Sequence, residues 1–311
     1  MKLSSKISVG FACCILLVYL LLIAGAFWPS ETVPVAQVAG KQARFVTVGG
    51  RTIHYEKTGL GRPLVLVHGF AGSTCTWRRL IPLLADRFTV YALDLPGFGL
   101  SDKPSDYAYD MKTQGRLVLG FMDALGLKTA ALAGHSMGGI VVSCSAIEAP
   151  TRVDALVLIE PGFYNKHTPA FLGHLFFPLD RLMARLFYTR TFYRIFLSGS
   201  YYDTSLVTDE VIDAYMAPTR TPGALDALVR MFQYSGPKQY DGITERIDRP
   251  TMIVWGENKR NANMTAKLQA AARIKREIRV SRLVSIAESG HYVQEEKPAE
   301  LARAMGDFLV K

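Results

Sequence analysis

Gly134-His135-Ser136-Met137-Gly138-Gly139 decides how the rest of this chain is read. The stretch fits G-x-S-x-G. Apolar Thr129-Ala130-Ala131-Leu132-Ala133 precedes it in the manner of a strand, and the run from Ile140 to Glu148 follows with the character of a helix. A strand, a sharp turn and a helix in that order lift a serine hydroxyl clear of a sheet edge. The turn holds the serine in a rarely populated backbone conformation, and glycines at 134 and 138 leave room for the bend. The helix that follows points its free N–H groups at the place where an oxyanion would form. Without such flanks the same residues would be no more than a glycine-rich turn.

Working outward, strands and helices alternate. Arg44 to Val48 and Thr52 to Lys57 flank Gly49-Gly50 and predict a hairpin. Pro63-Leu64-Val65-Leu66-Val67 is apolar throughout, like a strand buried on both faces, and runs into His68-Gly69-Phe70-Ala71-Gly72-Ser73. Between Thr76 and Arg87, residues Trp77, Leu80, Leu83 and Leu84 recur at helical spacing. Phe88 to Leu93 reads as a strand leading into Asp94, Tyr109 to Leu125 as a helix stopped by Gly126, and Ala155 to Ile159 as a strand ending at Glu160. From Gly162 to about Gly242 the rhythm stops, and a helical insertion rich in aromatics and arginines is expected. Alternation resumes with a strand at Thr251 to Trp255, a helix around Met264 to Ile274, a strand at Arg279 to Ile286 and a closing helix from Pro298 to Val310. This order predicts an α/β fold, its mostly parallel sheet covered on both faces. In such sheets function gathers at the carboxyl ends of the strands.

The chain has 311 residues, enough for one large domain with an insertion. Its 36 Lys and Arg exceed its 27 Asp and Glu, but there is no dense basic run and no nucleic-acid motif, so nucleic acid is not an expected partner. Cys13 and Cys14 lie in the apolar N-terminal run, which leaves Cys75 and Cys144 for the body. With no C-x-x-C, neither a disulfide framework nor a metal site is expected. No phosphate-binding glycine loop is visible, no cofactor is expected, and the chain is expected to be a monomer. Lys2 and Lys6 precede a charge-free apolar run from Ile7 to Trp28, long enough for a helix across a hydrocarbon core. The charge bias then places the N-terminus in the cytoplasm and the body outside. The alternative is a signal peptide cut after Ala24-Gly25-Ala26. Residues 1–28 are therefore expected to be an anchor or signal sequence and 29–44 a linker; 45–161 and 243–311 form the core, with the insertion over 162–242.

From about Phe45 onward the chain resembles the α/β-hydrolase superfamily. The resemblance is carried by His68-Gly69-Phe70, the segment from Asp94 to Asp102, Gly134 to Gly139, Trp255-Gly256 and Gly290-His291. It implies an eight-stranded, mostly parallel sheet with helices on both faces and a helical cap inserted after the sixth strand. It also implies a serine nucleophile, a histidine base, an acid that orients the histidine and a two-amide oxyanion hole. Ser136 is the expected nucleophile, whose hydroxyl is weak until an adjacent base takes its proton. His291, in Glu288-Ser289-Gly290-His291 after the last strand, is the expected base. His68 and His135 belong to turn motifs and read as residues that hold loops by hydrogen bonds. His54 lies on the first hairpin, and His167 and His174 lie in the cap. Met137 and, by the resemblance, Phe70 are expected to supply the oxyanion N–H groups.

At the acid the chain departs from the family. The usual place is the loop after the seventh strand, in a pattern like W-G-x-x-D, and here that loop reads Trp255-Gly256-Glu257-Asn258-Lys259-Arg260. Lys259 cannot accept the histidine Nδ1 proton or stabilise an imidazolium. Three readings stay open. The acid is Glu160, at the strand end that haloalkane dehalogenases use; or it is Glu257; or there is none, and the protein is a weakened or dead hydrolase, at the extreme a non-catalytic ligand binder. Haloalkane dehalogenases and epoxide hydrolases need an aspartate at the elbow, so Ser136 makes acyl transfer the natural chemistry. The expected function is a membrane-anchored serine hydrolase, esterase or lipase-like, acting on carboxylic esters of lipid-like or apolar acids. Cofactor-free perhydrolases and carbon–carbon bond hydrolases, with similar triads, are the alternatives. In the cap, Phe171, Phe176, Phe177, Phe187 and Phe192 alternate with Arg181, Arg185, Arg190 and Arg194. That pattern suits either an amphipathic surface at a membrane or the internal packing of the cap.

Overall fold

Each apolar run that reads as a strand forms one. They are β1 (Arg44–Val48), β2 (Arg51–Thr58), β3 (Arg62–Val67), β4 (Phe88–Leu93), β5 (Ala130–His135), β6 (Val153–Ile159), β7 (Thr251–Glu257) and β8 (Ser281–Ala287). The computed structural model describes residues 16–28, 32–41, 43–164, 174–234, 242–258 and 264–310. The strands join one sheet in the order β1-β2-β4-β3-β5-β6-β7-β8. β2 pairs antiparallel with β1 and β4, and every other pairing is parallel. This is the α/β-hydrolase fold.

The helices are α1 (residues 16–26), α2 (Val35–Val38), α3 (Ile81–Leu84), α4 (Met111–Ala124), α5 (Met137–Glu148), α6 (Leu179–Phe187), α7 (Arg190–Ser200), α8 (Asp209–Met216), α9 (Ala224–Tyr234), α10 (Met264–Glu277), α11 (Val293–Glu296) and α12 (Pro298–Leu309). The central strands are apolar along most of their length because both sheet faces are covered. Val65, Val67, Leu132 and Leu158 point into one cluster with Val118 and Phe121 of α4 and Val142 of α5. Leu64, Leu66, Ala133 and Ile159 point into the other, with Trp77, Leu84, and Leu301 and Met305 of α12. Full burial of each such aliphatic side chain contributes about 1.5–3 kcal/mol. One expected helix is broken. The stretch from Thr76 to Arg87 divides into a 3-10 turn at Thr74–Trp77 and the short α3. Pro82 is the reason: lacking an N–H, it is tolerated in a first turn and not in a helix interior.

Between β6 and β7 lie α6 to α9. Three arginines of this layer are paired within it: Arg190 with Asp209 and Asp213, Arg194 with Asp209, and Arg181 with Asp226. Its aromatics pack on one another, with Phe192 stacked on Phe196 at 5.6 Å and Phe187 edge-on to Phe232 at 5.1 Å. Of the two readings of that pattern, these contacts belong to packing. Phe171 lies outside the described residues.

The expected transmembrane helix is corrected. Among the described residues no helix is long and apolar enough to cross a membrane. Ile7 to Ile15 of the apolar run lie outside the described residues. The end of α1 is engaged with the α6 region instead. Ala26, the expected cleavage position, is fully buried, and Arg185 donates to its carbonyl at 3.1 Å. Phe27 meets the Phe177 ring at 5.4 Å, and the Arg181 guanidinium lies over Phe27 at 5.6 Å. The placement of the body beyond a membrane, which rested on that anchor, falls with it.

The turn after β5 is sterically closed. A Cβ added at Gly138 would collide with the backbone oxygens of Val67 and His68, and one at Gly134 with the backbone of Gly138. Gly138→Ala is therefore expected to lower unfolding stability by about 3 kcal/mol, as forced overpacking does. Urea unfolding of the two proteins checks this, and an unchanged midpoint would refute the close crossing of α5 over β3.

Candidate active site

Ser136 stands between β5 and α5 with φ +52° and ψ −113°. Three backbone bonds fix it: its N–H donates to Ile159 O at 2.9 Å, and its carbonyl accepts from Gly139 at 3.1 Å and Gly162 at 3.2 Å. Four non-glycine residues with positive φ occur among the described residues: Ala71, Ser136, Glu160 and Glu288. Each follows a strand, β3, β5, β6 and β8 in turn, so the strain collects around one end of the sheet, where functional sites keep it.

The loop after β3 approaches Ser136 closely: a Cβ on Gly69 would come within 3.0 Å of the serine Cβ. His68 sets that loop. Leu95 N–H donates to its Nε2 at 3.1 Å, so Nδ1 carries the ring proton and donates it to Gly69 O at 2.8 Å. Burial holds His68 below the ordinary histidine range, despite the opposing charge of Asp94, which keeps it in this neutral form. Among the described residues no acceptor takes the backbone N–H of Phe70 or of Met137. The two expected oxyanion donors are thus free.

A second buried network supports the same loop. Asp94, fully buried after β4, accepts from Thr74 N–H at 2.6 Å and Leu100 N–H at 2.8 Å, and lies 2.7 Å from His54 Nδ1. Burial raises this carboxyl, but the hydrogen bond and charge of His54, with the Leu100 N–H, outweigh it, and the net is a lowered pKa. The sequence places Asp94 at the end of a strand and leaves its partner His54 unassigned. A histidine on a hairpin has no local signal that ties it to a carboxylate forty residues on.

His291 follows β8. Its N–H donates to Ser200 O at 2.6 Å, and its carbonyl accepts from Nε2 of His135, the neighbour of Ser136, at 2.8 Å. The two imidazole rings are 4.7 Å apart. Burial first and the charge of His291 second depress His135 far below the ordinary range, so it stays neutral. Both turn histidines hold loops by hydrogen bonds, as their positions lead one to expect. The Gly290 N–H donates to Glu296 Oε1 at 2.7 Å, while Glu296 Oε2 accepts from Tyr202 N–H at 2.7 Å and Asp203 N–H at 3.0 Å. That one carboxylate ties the His291 loop to the chain leaving α7.

Of the two expected acids, Glu160 meets His291. Its Oε2 lies 3.2 Å from His291 Nδ1, and its Oε1 accepts from Gly256 N–H at 2.9 Å. The carboxylate is 2% exposed. Burial pushes it up, but the His291 hydrogen bond, the charges of His291 and Lys267 and the Gly256 N–H together bring it below its ordinary value. Glu257 ends β7, partly buried, and makes no hydrogen bond to His291. Lys259 lies outside the described residues. Lys267, on α10, was not singled out in the sequence, yet its Nζ is 3.2 Å from Glu160 Oε2. Beside the Phe70 loop a narrow cleft, partly open to solvent, runs between the core and the α6–α9 layer. Phe70, Phe98, Phe187, Tyr188, Phe192 and Tyr193 line much of it.

Residues 62–298 match the family model described as alpha/beta hydrolase fold. The chain is 30% identical over 269 residues to the uncharacterized hydrolase YugF of Bacillus subtilis, covering 86% of this chain and 97% of that protein. It is 31% identical over 278 residues to a 2-hydroxy-6-oxo-2,4-heptadienoate hydrolase of Pseudomonas putida, covering 86% and 95%. Among solved structures, Cfl2 from Burkholderia cenocepacia superposes with a TM-score of 0.74 at 25% identity, covering 90% of this chain and 99% of that one.

The lowered Asp94 carboxyl makes a statement about acid stability. A carboxylate whose folded pKa lies below its unfolded value of about 3.9 contributes stability at neutral pH and loses it as pH falls through the folded value. Asp94→Asn should lower stability at pH 7 by roughly 3–5 kcal/mol, the cost of breaking a buried pair, and should flatten the fall between pH 5 and pH 3. Urea midpoints across that range measure both; an equal pH slope in the two proteins would refute the assignment.

Proposed function

We propose, given that the chain belongs to the family of the α/β-hydrolase fold, that this hydrolase works at acyl carbons through a serine triad. Ser136 is the nucleophile, His291 the general base and Glu160 the acid that orients it, and the N–H groups of Phe70 and Met137 form the oxyanion hole. The observation that carries this reading is the 3.2 Å approach of Glu160 Oε2 to His291 Nδ1, on a loop bonded to the residue before Ser136. With Nδ1–H directed at Glu160, Nε2 has its lone pair free to take the Ser136 proton. Oγ then adds to the carbonyl carbon, and the oxyanion is met by two N–H groups that need not reorganise. The imidazolium returns its proton to the leaving alkoxide, giving an acyl-serine and a free alcohol. Water activated by the same imidazole then adds to the acyl carbon and frees Ser136.

The substrates we propose are carboxylic esters with an apolar acyl part, which the aromatic walls of the cleft suit. A second reading has its own support in the relative that is a 2-hydroxy-6-oxo-2,4-heptadienoate hydrolase. In it the bond broken at the acyl carbon is carbon–carbon, and the leaving group must be protonated on carbon. A chain-length series of p-nitrophenyl esters, run beside a 6-oxo-dienoate, separates the two by which kcat/KM is larger.

Fluorophosphonate labelling tests the triad itself. The full chain should label, and Ser136→Ala should abolish the label; a protein that never labels is a ligand binder, and the proposal fails. Glu160→Gln is expected to lower kcat by about four orders of magnitude, as loss of an orienting acid does. Glu257→Gln should cost less than about threefold. The reverse ranking would move the acid to the end of β7.

A further inference from the structure

Glu160 faces two nitrogen partners rather than one. Lys267 Nζ and His291 Nδ1 both lie 3.2 Å from the same oxygen, Oε2, while Oε1 is taken by Gly256 N–H. The carboxylate is 2% exposed, the lysine 20% and the histidine 19%. In so dry a place charges act on one another far more strongly than in water. A carboxylate alone would favour the protonated imidazole, which cannot act as the base. An ammonium on the same oxygen offsets that charge, and its own field opposes a second proton on the ring.

The other groups around His291 do not substitute for it. The His135 ring, 4.7 Å away, is held neutral by burial. Tyr292 is buried, and burial raises its phenol out of the working range. Glu257 stands at the end of β7, and Glu288 is 68% exposed and pairs with Lys297 at 3.7 Å. Glu296 is occupied by three backbone N–H groups. Among the described residues, Lys267 is the lysine that pairs with Glu160, beside the His291 ring.

We propose that Lys267 is a positioning residue of the site: it pins the Glu160 carboxylate under His291 and sets the pH above which the imidazole can take the serine proton. The proposal rests on the triad reading above. Its test is the pH profile of kcat/KM for p-nitrophenyl butyrate, measured with the full chain and with K267M, K267Q and K267R. The two neutral variants should move the acid limb upward by about one pH unit, costing about tenfold at pH 6 and less than about threefold at pH 9. K267R should restore the wild-type limb. A neutral variant that folds and loses activity equally at every pH, or not at all, would reduce the lysine to helix packing and leave the triad intact. If the wild-type chain does not label at Ser136 with a fluorophosphonate, the triad reading fails and takes this proposal with it.

Discussion

The first turn of α5 passes so close to the end of β3 that no side chain fits between them. Much of the site's geometry follows from that contact. It forces the chain through a bend with a positive φ at Ser136, and it aims the open end of α5 at the gap between β3 and β5. The loop after β3 must then run beside the serine, where His68 and Asp94 hold it from below. A helix packed one ångström further out would relieve Ser136 and would also lose the free N–H of Met137 as a directed donor. The local strain and the chemical arrangement have one origin.

The acid side of the site is built differently. Glu160 is also bent to a positive φ, and its N–H is anchored on Val254 of the neighbouring strand. This puts its carboxylate above the β6–β7 seam, where Gly256 N–H, the Lys267 ammonium and the His291 ring converge on it. A buried carboxylate is tolerable only with such partners. The chain has Lys259 where its family usually has the acid. A buried carboxylate, Glu160, stands one strand over, at the end of β6.

Much of the architecture was legible because its signals are local. Unbroken apolar runs report strands covered on both faces, and small residues around Ser136 report a tight bend; neither needs knowledge of distant residues. Glu160 and Glu257 could not be separated in this way. Both end strands, and only the lateral pairing of β6 with β7 and the path of the β8 loop bring one of them to His291. Lys267 was invisible for a related reason: on a helix rich in lysine and arginine, one more cation reads as solvated. The N-terminal run misled because hydropathy measures what a segment avoids and not what it meets. Phe27, Ala26 and Arg185 show part of it meeting protein. Pro82 is a reminder that helical spacing of apolar residues is no guarantee of helical backbone.

Glu296 grips both the His291 loop and the strand of chain leaving α7. The roof of the cleft and the imidazole are consequently one mechanical part on that flank. A guest too bulky to lie beneath α7 would carry the ring away from the serine as it lifted the roof. Under the triad proposed above, such a guest would occupy the cleft without being cleaved.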